Sequence, residues 1–566
     1  MKKLCFIITG LLYSSLSLSQ SSNAPLNADY YHLLDRYEIL NGRFSSHFHT
    51  SAKPYERQDI AAFADELLTD SSRWTYKDRF NLTYLANDNW EYSKLHKNES
   101  NRPLFRKFFR KKSDLFYVDE DDFDLHINPV FYLSTGVESA SDVNTYTNTR
   151  GVDVRGNIAG RLGFYTSIYT TQAAYPLYVR NRIYEVGVVP YEGFWKEFHK
   201  DGVDFFTAKG YISFDLIRNY VNAQFGFDKN ALGNGHRSFL LSDFSNNYTF
   251  LKFNTKIWRL NYTNLYTQAF AQHIGIFNNR SGQYRGSAGT VRFPKKFIST
   301  HHLSLNITDN INIGLFETVI SGDTAETFNI SYLNPIIFYR ALEHQDGSID
   351  NAMVGFDYKI NFARHFSFYG QLALDEFKLD EITSGEGWWA NKYGVQTGLK
   401  YINVFGINNL DAQVEYNFAR PYLYQHQDIY TNYAHYNMPL GHIQGGNFKE
   451  IVTFLRFQPS RKINVIAQLN LTEYGEDPDA AANWGKDVMK SYTTREQDYG
   501  NVTGQGISTK LLFSELTVSY QFKHNVFFDV KGSTRRLNSE IDALDENTTF
   551  YSGSFRWNIP RRTHDF

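Results

Sequence analysis

Cysteine is nearly missing from the 566-residue sequence; the one present, Cys5, lies in the apolar stretch Leu4–Leu18 that follows Lys2 and Lys3. With the small-x-small triplet Ser17-Leu18-Ser19 ahead of Gln20, this has the form of a cleaved export signal, so residues 1–19 are set apart from the fold. The run is shorter than the roughly 20 residues a membrane span needs. Cys5 lacks the small residues that precede a lipoprotein cysteine, and a processed chain without it can form no disulfide, thiol nucleophile or cysteine metal site. After the signal no run approaches about 18 consecutive apolar residues, which excludes membrane helices, and the mean hydropathy is -0.46. Surplus positive charge is missing too. Lys and Arg number 58 against 60 Asp and Glu, for a net charge of -2, and no long basic tract appears. A nucleic-acid partner is therefore not expected.

Aromatic residues are abundant instead: 40 Tyr and 47 Phe, beside four Met, bring the aromatic share to 17%. Strands favour aromatic side chains and membrane interfaces concentrate them. The N-terminal part, residues 20–114, nevertheless has a helical period. Tyr30, Leu33, Leu34 and Tyr37 fall at i, i+3, i+4 and i+7, and Ile60, Phe63, Ala64 and Leu67 repeat the spacing after Pro54. A third helix is expected between Thr75 and Trp90. Helices this short must pack on one another or on something larger. From Leu104 to Lys112 aromatics interleave with cations, a pattern that fits a membrane-surface helix and equally a solvated helix face.

From Phe123 onward the period becomes two. Ile463, Val465, Ala467, Leu469 and Leu471 alternate with polar residues, apart from Ile466, and Ala412, Val414, Tyr416 and Phe418 alternate with Gln413, Glu415 and Asn417. About 18 such segments, with 16–18 as the range, occupy residues 115–566, and most have the nine to eleven residues that cross a bilayer at a tilt. Their links alternate in length. Short ones fall near 157–159, 217–218, 254–256, 308–310, 363–365, 405–407, 458–461 and 522–524; long ones include 173–205, 271–296, 321–350, 421–447 and 474–506. Short periplasmic turns and long extracellular loops are the pattern of a transmembrane antiparallel β-barrel. The predicted fold is thus mainly β, an outer-membrane barrel with a small helical segment, and an even strand count puts that segment and the C-terminus in the periplasm. In the last strand Tyr551, Phe555, Trp557 and Ile559 are expected to face lipid and Ser552, Ser554, Arg556 and Asn558 the lumen, ahead of a final aromatic, Phe566. Such an ending suits insertion by the barrel assembly machinery of the outer membrane.

Constellations for catalysis are sparse, and neither an enzyme nor a cofactor is expected. His301-His302 and the set His426, His435 and His442 lack helical His-x-x-x-His spacing, so no metal is assigned. The run Asp119 to Asp122 reads as solvated rather than as a Ca²⁺ site. Gly233-Asn234-Gly235 has neither the strand nor the helix of a nucleotide loop. A binding role fits better. Trp388 and Trp389, with Tyr393, lie around the loop Ser384-Gly385-Glu386-Gly387, and Trp484 lies in another long link. Aromatic faces amid polar groups can stack on sugar rings, although girdle or loop-packing roles serve the same residues.

Several phrases together resemble the Wzi family of outer-membrane capsule assembly proteins. Leu33 to Leu40 and Pro54 to Leu67 are similar to the family's opening helices, and Leu232-Gly233-Asn234-Gly235 followed by Ser238-Phe239-Leu240-Leu241-Ser242 is similar to its central Trp-Gly-Pro-Gly and Ser-Leu-x-Leu-Ser signature. Leu232 stands where the family has Trp, and Asn234 where it has Pro. Further likeness lies in Asn334-Pro335, Asp350-Asn351 with Gly355-Phe356-Asp357, Tyr369-Gly370 with Asp375-Glu376, and Glu415-Tyr416 with Arg420-Pro421-Tyr422. The resemblance implies an 18-stranded barrel with a plugged lumen that binds or organises surface polysaccharide without turning it over. It also takes in Bacteroidota proteins linked to gliding motility. Arg237, the loop tryptophans and Tyr393 are the expected glycan contacts, with Gly233, Gly235, Ser238 and Ser242 as the signature loop. A passive diffusion porin, and a component of gliding motility or surface-adhesin export with partners from those systems, are the alternative functions.

Overall fold

The computed structural model describes residues 21–95, 98–100, 103, 105–271, 293–335, 339 and 350–566. The expected signal at 1–19, Leu104 and much of the links 271–296 and 321–350 lie outside the described residues.

Three helices come first: α1 (Ala28–Asn41), α2 (Arg57–Thr69) and α3 (Tyr76–Asp88). α1 and α3 begin where a side chain satisfies free backbone donors, and α1 stops where a left-handed residue is available. The Asn27 side chain accepts from the N–H groups of Asp29 and Tyr30, α1 ends at Gly42 with φ 78°, and Thr75 and Asp78 cap α3 reciprocally. Their apolar stripes meet in one core that includes Tyr37, Ile60, Phe63 and Leu82.

Eighteen antiparallel strands follow and close on themselves. They are β1 (Phe123–Glu138), β2 (Thr145–Ile158), β3 (Leu162–Ala174), β4 (Gly202–Ile217), β5 (Val221–Asp228) and β6 (Tyr248–Ile257). Next come β7 (Leu260–Phe270), β8 (Lys295–Asn306), β9 (Ile311–Ser321), β10 (Asn351–Phe362), β11 (Phe366–Glu376) and β12 (Lys392–Tyr401). The set ends with β13 (Leu410–Ala419), β14 (Phe448–Ser460), β15 (Ile463–Glu476), β16 (Ile507–Lys523), β17 (Val526–Ser539) and β18 (Glu546–Trp557). β18 pairs with β1 from Phe550 opposite Glu138 to Trp557 opposite Phe131, so no edge is left open there. Exposed Leu133, Phe225, Leu315, Val414, Leu469 and Val530 sit on the outward face, while the alternate residues point into the lumen. Ile466, which interrupts the alternation of β15, faces inward and packs with Val452 and Phe454.

One short link moves. The expected turn at Asn254-Thr255-Lys256 is strand, and the chain reverses at Trp258-Arg259, with Ile257 opposite Leu260. Asn254 and Lys256 are polar because they face the lumen, where Asn254 bonds Thr263 at 3.0 Å and Lys256 pairs with Asp59 of α2. The aromatic-cationic stretch also differs from expectation. Residues 105–112 form turns rather than a helix, with positive φ at Phe105, Arg106 and Phe109. The acidic run Asp119 to Asp122 is the exposed tip of a hairpin in which Phe116–Glu120 pairs with the start of β1.

All three helices sit at the short-turn end. The Phe44 N–H donates to Asp309 O at 2.7 Å, Lys77 donates to Gln458 O at 2.7 Å, and Tyr84 donates to Asn525 at 2.5 Å. β18 also finishes at that end, but residues 558–566 do not stay there. They turn back and climb inside the barrel, so Ile559 lines an internal cavity instead of facing lipid, and Phe566 packs beside Tyr178 and Phe244.

Candidate functional site: a plugged lumen beneath an aromatic loop platform

The lumen is filled by four pieces of the chain itself. The helical unit covers the short-turn mouth, residues 229–247 and 420–447 fold inward from the other end, and the tail 558–566 threads between them. The two plugs meet where Ala52 and Lys53 pair with Leu232 and Ala231 in a two-stranded ladder. An apolar core inside the barrel joins Phe239, Leu240, Leu423, Tyr424, Tyr433 and Leu440. Cavities of about 180 and 290 Å³ remain around the tail.

The signature loop is the hub of this plug. Gly233 adopts φ 117°, where a side chain is strained, and a Cβ there would lie 2.0 Å from Gln371 Nε2. Its N–H donates to Ser51 O at 2.7 Å and its carbonyl accepts from Lys53 Nζ at 2.6 Å. A Cβ on Gly235 would be 2.6 Å from both Gln396 Oε1 and Glu415 Oε2. Ser238 Oγ donates to Leu232 O at 2.5 Å and accepts from Leu240 N–H at 3.2 Å, while Ser242 Oγ donates to Gly441 O at 2.5 Å. Asn234, in the place of the family's proline, bonds Thr50 at 2.7 Å. The inward residues of the other family phrases complete the network: Glu415 accepts from the N–H groups of His236 and Arg237 at 2.7 and 3.0 Å, and Asp375 accepts from Tyr424 N–H at 2.9 Å.

Arg237, expected as a glycan contact, is only 6% exposed. It lies 3.0 Å from Glu450 and 3.2 Å from Asp565 of the tail. A buried guanidinium with two carboxylates is a fastener, since charges taken from water must be paired. A second fastener holds the helical unit. Lys359 on β10 lies 2.6 Å from both Asp35 and Glu38 of α1, and Lys400 on β12 also pairs with Asp35. Burial pushes the Asp35 carboxyl up, but the two ammonium groups outweigh it and hold it well below the usual carboxylate range.

The histidines are absorbed in the same way. His302 pairs with Asp357 at 2.6 Å, His301 bonds Tyr339 at 2.5 Å, His426 bonds Thr431 at 2.6 Å, and His442 lies 3.0 Å from Glu450. His435 receives the Phe270 N–H at 3.0 Å. Among the described residues no group of three His, Cys, Asp or Glu is placed to hold a metal ion.

At the long-loop end the arrangement is open. The loop after β11 and the loop after β15 are laced together: the N–H of Trp389 donates to Asp498 O at 2.9 Å, that of Gly500 to Glu386 O at 2.8 Å, and that of Asn501 to Gly387 O at 3.0 Å. Arg420, from a family-like phrase, clamps both by donating to Asn501 O at 2.7 Å and Trp388 O at 3.3 Å. This brings half-buried Trp388 and Trp389 within 6.2 Å of one another and sets Tyr492 4.9 Å from Trp389. Arg495 lies 4.2 Å above the Trp389 ring and Lys378 5.7 Å from the Trp388 ring. Rings edged by cations and carboxylates can meet a sugar face while the charged groups take its hydroxyls. Trp484 belongs to the same loop as Tyr492, half-buried, with Gln505 donating to its carbonyl at 3.0 Å.

Tyr393 does not join them. It is a strand residue of β12 facing outward, with its ring 6.0 Å from that of Phe418, so it is part of the aromatic girdle. Tyr492, Arg495 and Lys378 were missed by sequence reasoning. Tyr492 stands between Ser491 and Thr493, an aromatic flanked by polar residues in the same long link as Trp484, and that signal was available.

A closed antiparallel barrel of 18 strands, plugged by its own chain, is the architecture these observations define. The family model described as capsule assembly protein Wzi matches residues 126–549, and the chain belongs to that family. Among solved structures, the chain is similar to Wzi of Escherichia coli, described as an outer-membrane protein involved in group 1 capsule assembly and a carbohydrate-binding β-barrel. The likeness has 13% identity and a TM-score of 0.56, and covers 96% of this chain and 100% of that one. A weaker likeness, to OprD of Pseudomonas aeruginosa, has 9% identity and a TM-score of 0.41, and covers 76% of this chain and 92% of the other. Comparison with curated protein sequences finds no match.

Proposed function

We propose that this chain is a non-enzymatic outer-membrane barrel that holds surface polysaccharide on its long-loop face. In this reading the helical segment of residues 20–114 and the short turns are periplasmic, and residues 115–566 form the membrane barrel with its loops outside the cell. The carrying observation is the platform of Trp388, Trp389 and Tyr492 edged by Arg495 and Lys378. Family membership supports the same reading, as does the carbohydrate binding described for the Escherichia coli relative.

Glycan contacts are assigned to Trp388, Trp389, Tyr492 and Arg495, with Trp484 at the margin, while Arg237 and the signature loop hold the plug in place. The plug argues against passive diffusion, because four segments of the chain occupy the space a porin leaves to water. A deletion strain tests the role: its surface polysaccharide should shed into the medium, and the wild-type gene should restore attachment where a Trp388→Ala/Trp389→Ala copy does not. Unchanged attachment in the deletion strain would end this reading.

A further inference from the structure

The segment from Phe105 to Lys112 takes no part in the platform. Its place on the barrel is set by Phe109, whose ring stacks on Trp557 at 5.8 Å and 19°, with Lys523 Nζ 5.8 Å from the same ring. Trp557 is the last outward-facing residue of β18, so the stack continues the apolar outer wall at the short-turn end. Phe108 lies 6.2 Å from Phe116, and beyond it Phe105 is 80% exposed. Phenylalanine side chains on a surface next to a membrane belt gain by entering the interface.

Charge follows the same geometry. Arg106, Lys107, Arg110 and Lys112 are exposed around the two rings, and no ion pair joins any of them among the described residues, although Arg110 sits 5.3 Å from the Tyr117 ring. The rim beside them is mixed: the short turns and strand ends present exposed Arg161, Arg218, Arg364, Arg461 and Lys523, together with the acidic hairpin tip Asp119 to Asp122 and Asp309. The long loops are mixed as well, exposing Asp380, Glu386, Asp479, Glu540 and Asp542 alongside Lys196, Lys200 and Lys378, so what sets the segment apart is four exposed cations within seven residues with no carboxylate among them. A cluster of cations level with aromatic side chains matches a layer of phosphate headgroups.

We propose that Phe105–Lys112 is a lipid anchor. Phe105 and Phe108 enter the interface, and Arg106, Lys107, Arg110 and Lys112 hold the phosphate of an anionic phospholipid. That the phosphate comes from a phospholipid and not from lipid A rests on the sidedness proposed above, which turns this end toward the periplasm.

Native mass spectrometry of the full chain, released from bilayers holding phosphatidylethanolamine, phosphatidylglycerol and lipid A, tests it. Wild-type protein should retain phosphatidylglycerol above its bulk share. The Arg106→Gln/Lys107→Gln/Arg110→Gln/Lys112→Gln variant should lose at least roughly fivefold of that enrichment, the effect of a single cation near an anionic surface. Phe105→Ser/Phe108→Ser should lower total lipid retention while the barrel keeps its heat-modifiable mobility. Equal enrichment in wild type and the glutamine variant overturns the proposal, and so does retention of lipid A in preference to phosphatidylglycerol. Because the lipids occupy both leaflets, these results do not depend on sidedness. Sidedness is read separately, from protease cleavage of a site inserted at residues 139–144 in whole cells; protection there would overturn the assignment to a phospholipid leaflet while leaving the headgroup contact standing.

Discussion

The lumen and the long-loop platform use the same residue types to opposite ends. In the lumen Arg237 is enclosed by Glu450 and Asp565, and Lys359 by Asp35 and Glu38, with nothing left to offer a ligand. On the platform Arg495 and Lys378 lie over indole rings at the open end of the barrel. On the function proposed above, position in the fold, and not side-chain chemistry, separates a fastener from a contact. A cation enclosed by carboxylates is committed to folding, because removing it strands charge in a poorly hydrated site. The platform cations are paired too, Arg495 with Asp498 at 2.5 Å and Lys378 with Glu381 at 3.1 Å, but these pairs stand at the surface beside half-buried rings, where water screens them and hydroxyls can compete for the donors.

The sharpest way to break this contrast is inside the barrel. Lys359→Met leaves Asp35 and Glu38 facing Lys400 alone and should cost about 3–5 kcal/mol, read as a lower melting temperature and new tryptic cleavage in α1. Arg237→Ala should act similarly but less, roughly 2–4 kcal/mol, since Asp565 keeps bonds to Gln468 and Asn470. Planar-bilayer current should rise in this variant as the tail loosens, while glycan binding by the folded fraction stays unchanged. On the platform the pattern inverts: Trp389→Ala should leave the melting temperature within error and weaken glycan binding by on the order of 2 kcal/mol. Tyr393→Ala, its girdle counterpart, should not alter binding at all.

The smallest effect concerns pH. Asp35 has its carboxyl held below its unfolded value, so its contribution to stability is present above the ordinary carboxylate range near 4 and is lost as pH falls through the folded value. Hydrogen exchange of α1 should therefore accelerate below about pH 4 in wild type, and should lose that dependence in Asp35→Asn.

Much of the architecture was legible beforehand, for a reason specific to barrels. A period of two reports inward against outward directly, which is why eighteen strands could be located, just as the i, i+3, i+4, i+7 spacing marked the helices. That signal carries no information about what fills the lumen. Asn254 and Lys256 looked like a turn, and Arg237 like a ligand contact, because a barrel interior is polar whether it holds water, glycan or protein. Tyr393 looked like a loop residue because two tryptophans stand four and five positions before it; the strand actually starts at Lys392. The climb of residues 558–566 into the barrel was equally hidden, since an aromatic final residue suits a closing strand as well as a tail packed on Tyr178. The platform was half visible: its tryptophans stood out, but Tyr492 and Arg495 reach Trp389 only through the backbone ladder between two distant loops.

The most direct test is calorimetric titration of the full-length protein in detergent with the host's own surface polysaccharide, comparing wild type with Trp388→Ala/Trp389→Ala at matched melting temperature. The account predicts saturable binding by wild type and at least a tenfold loss, about 1.4 kcal/mol, in the variant. Equal binding by both proteins, or none by wild type, would contradict it.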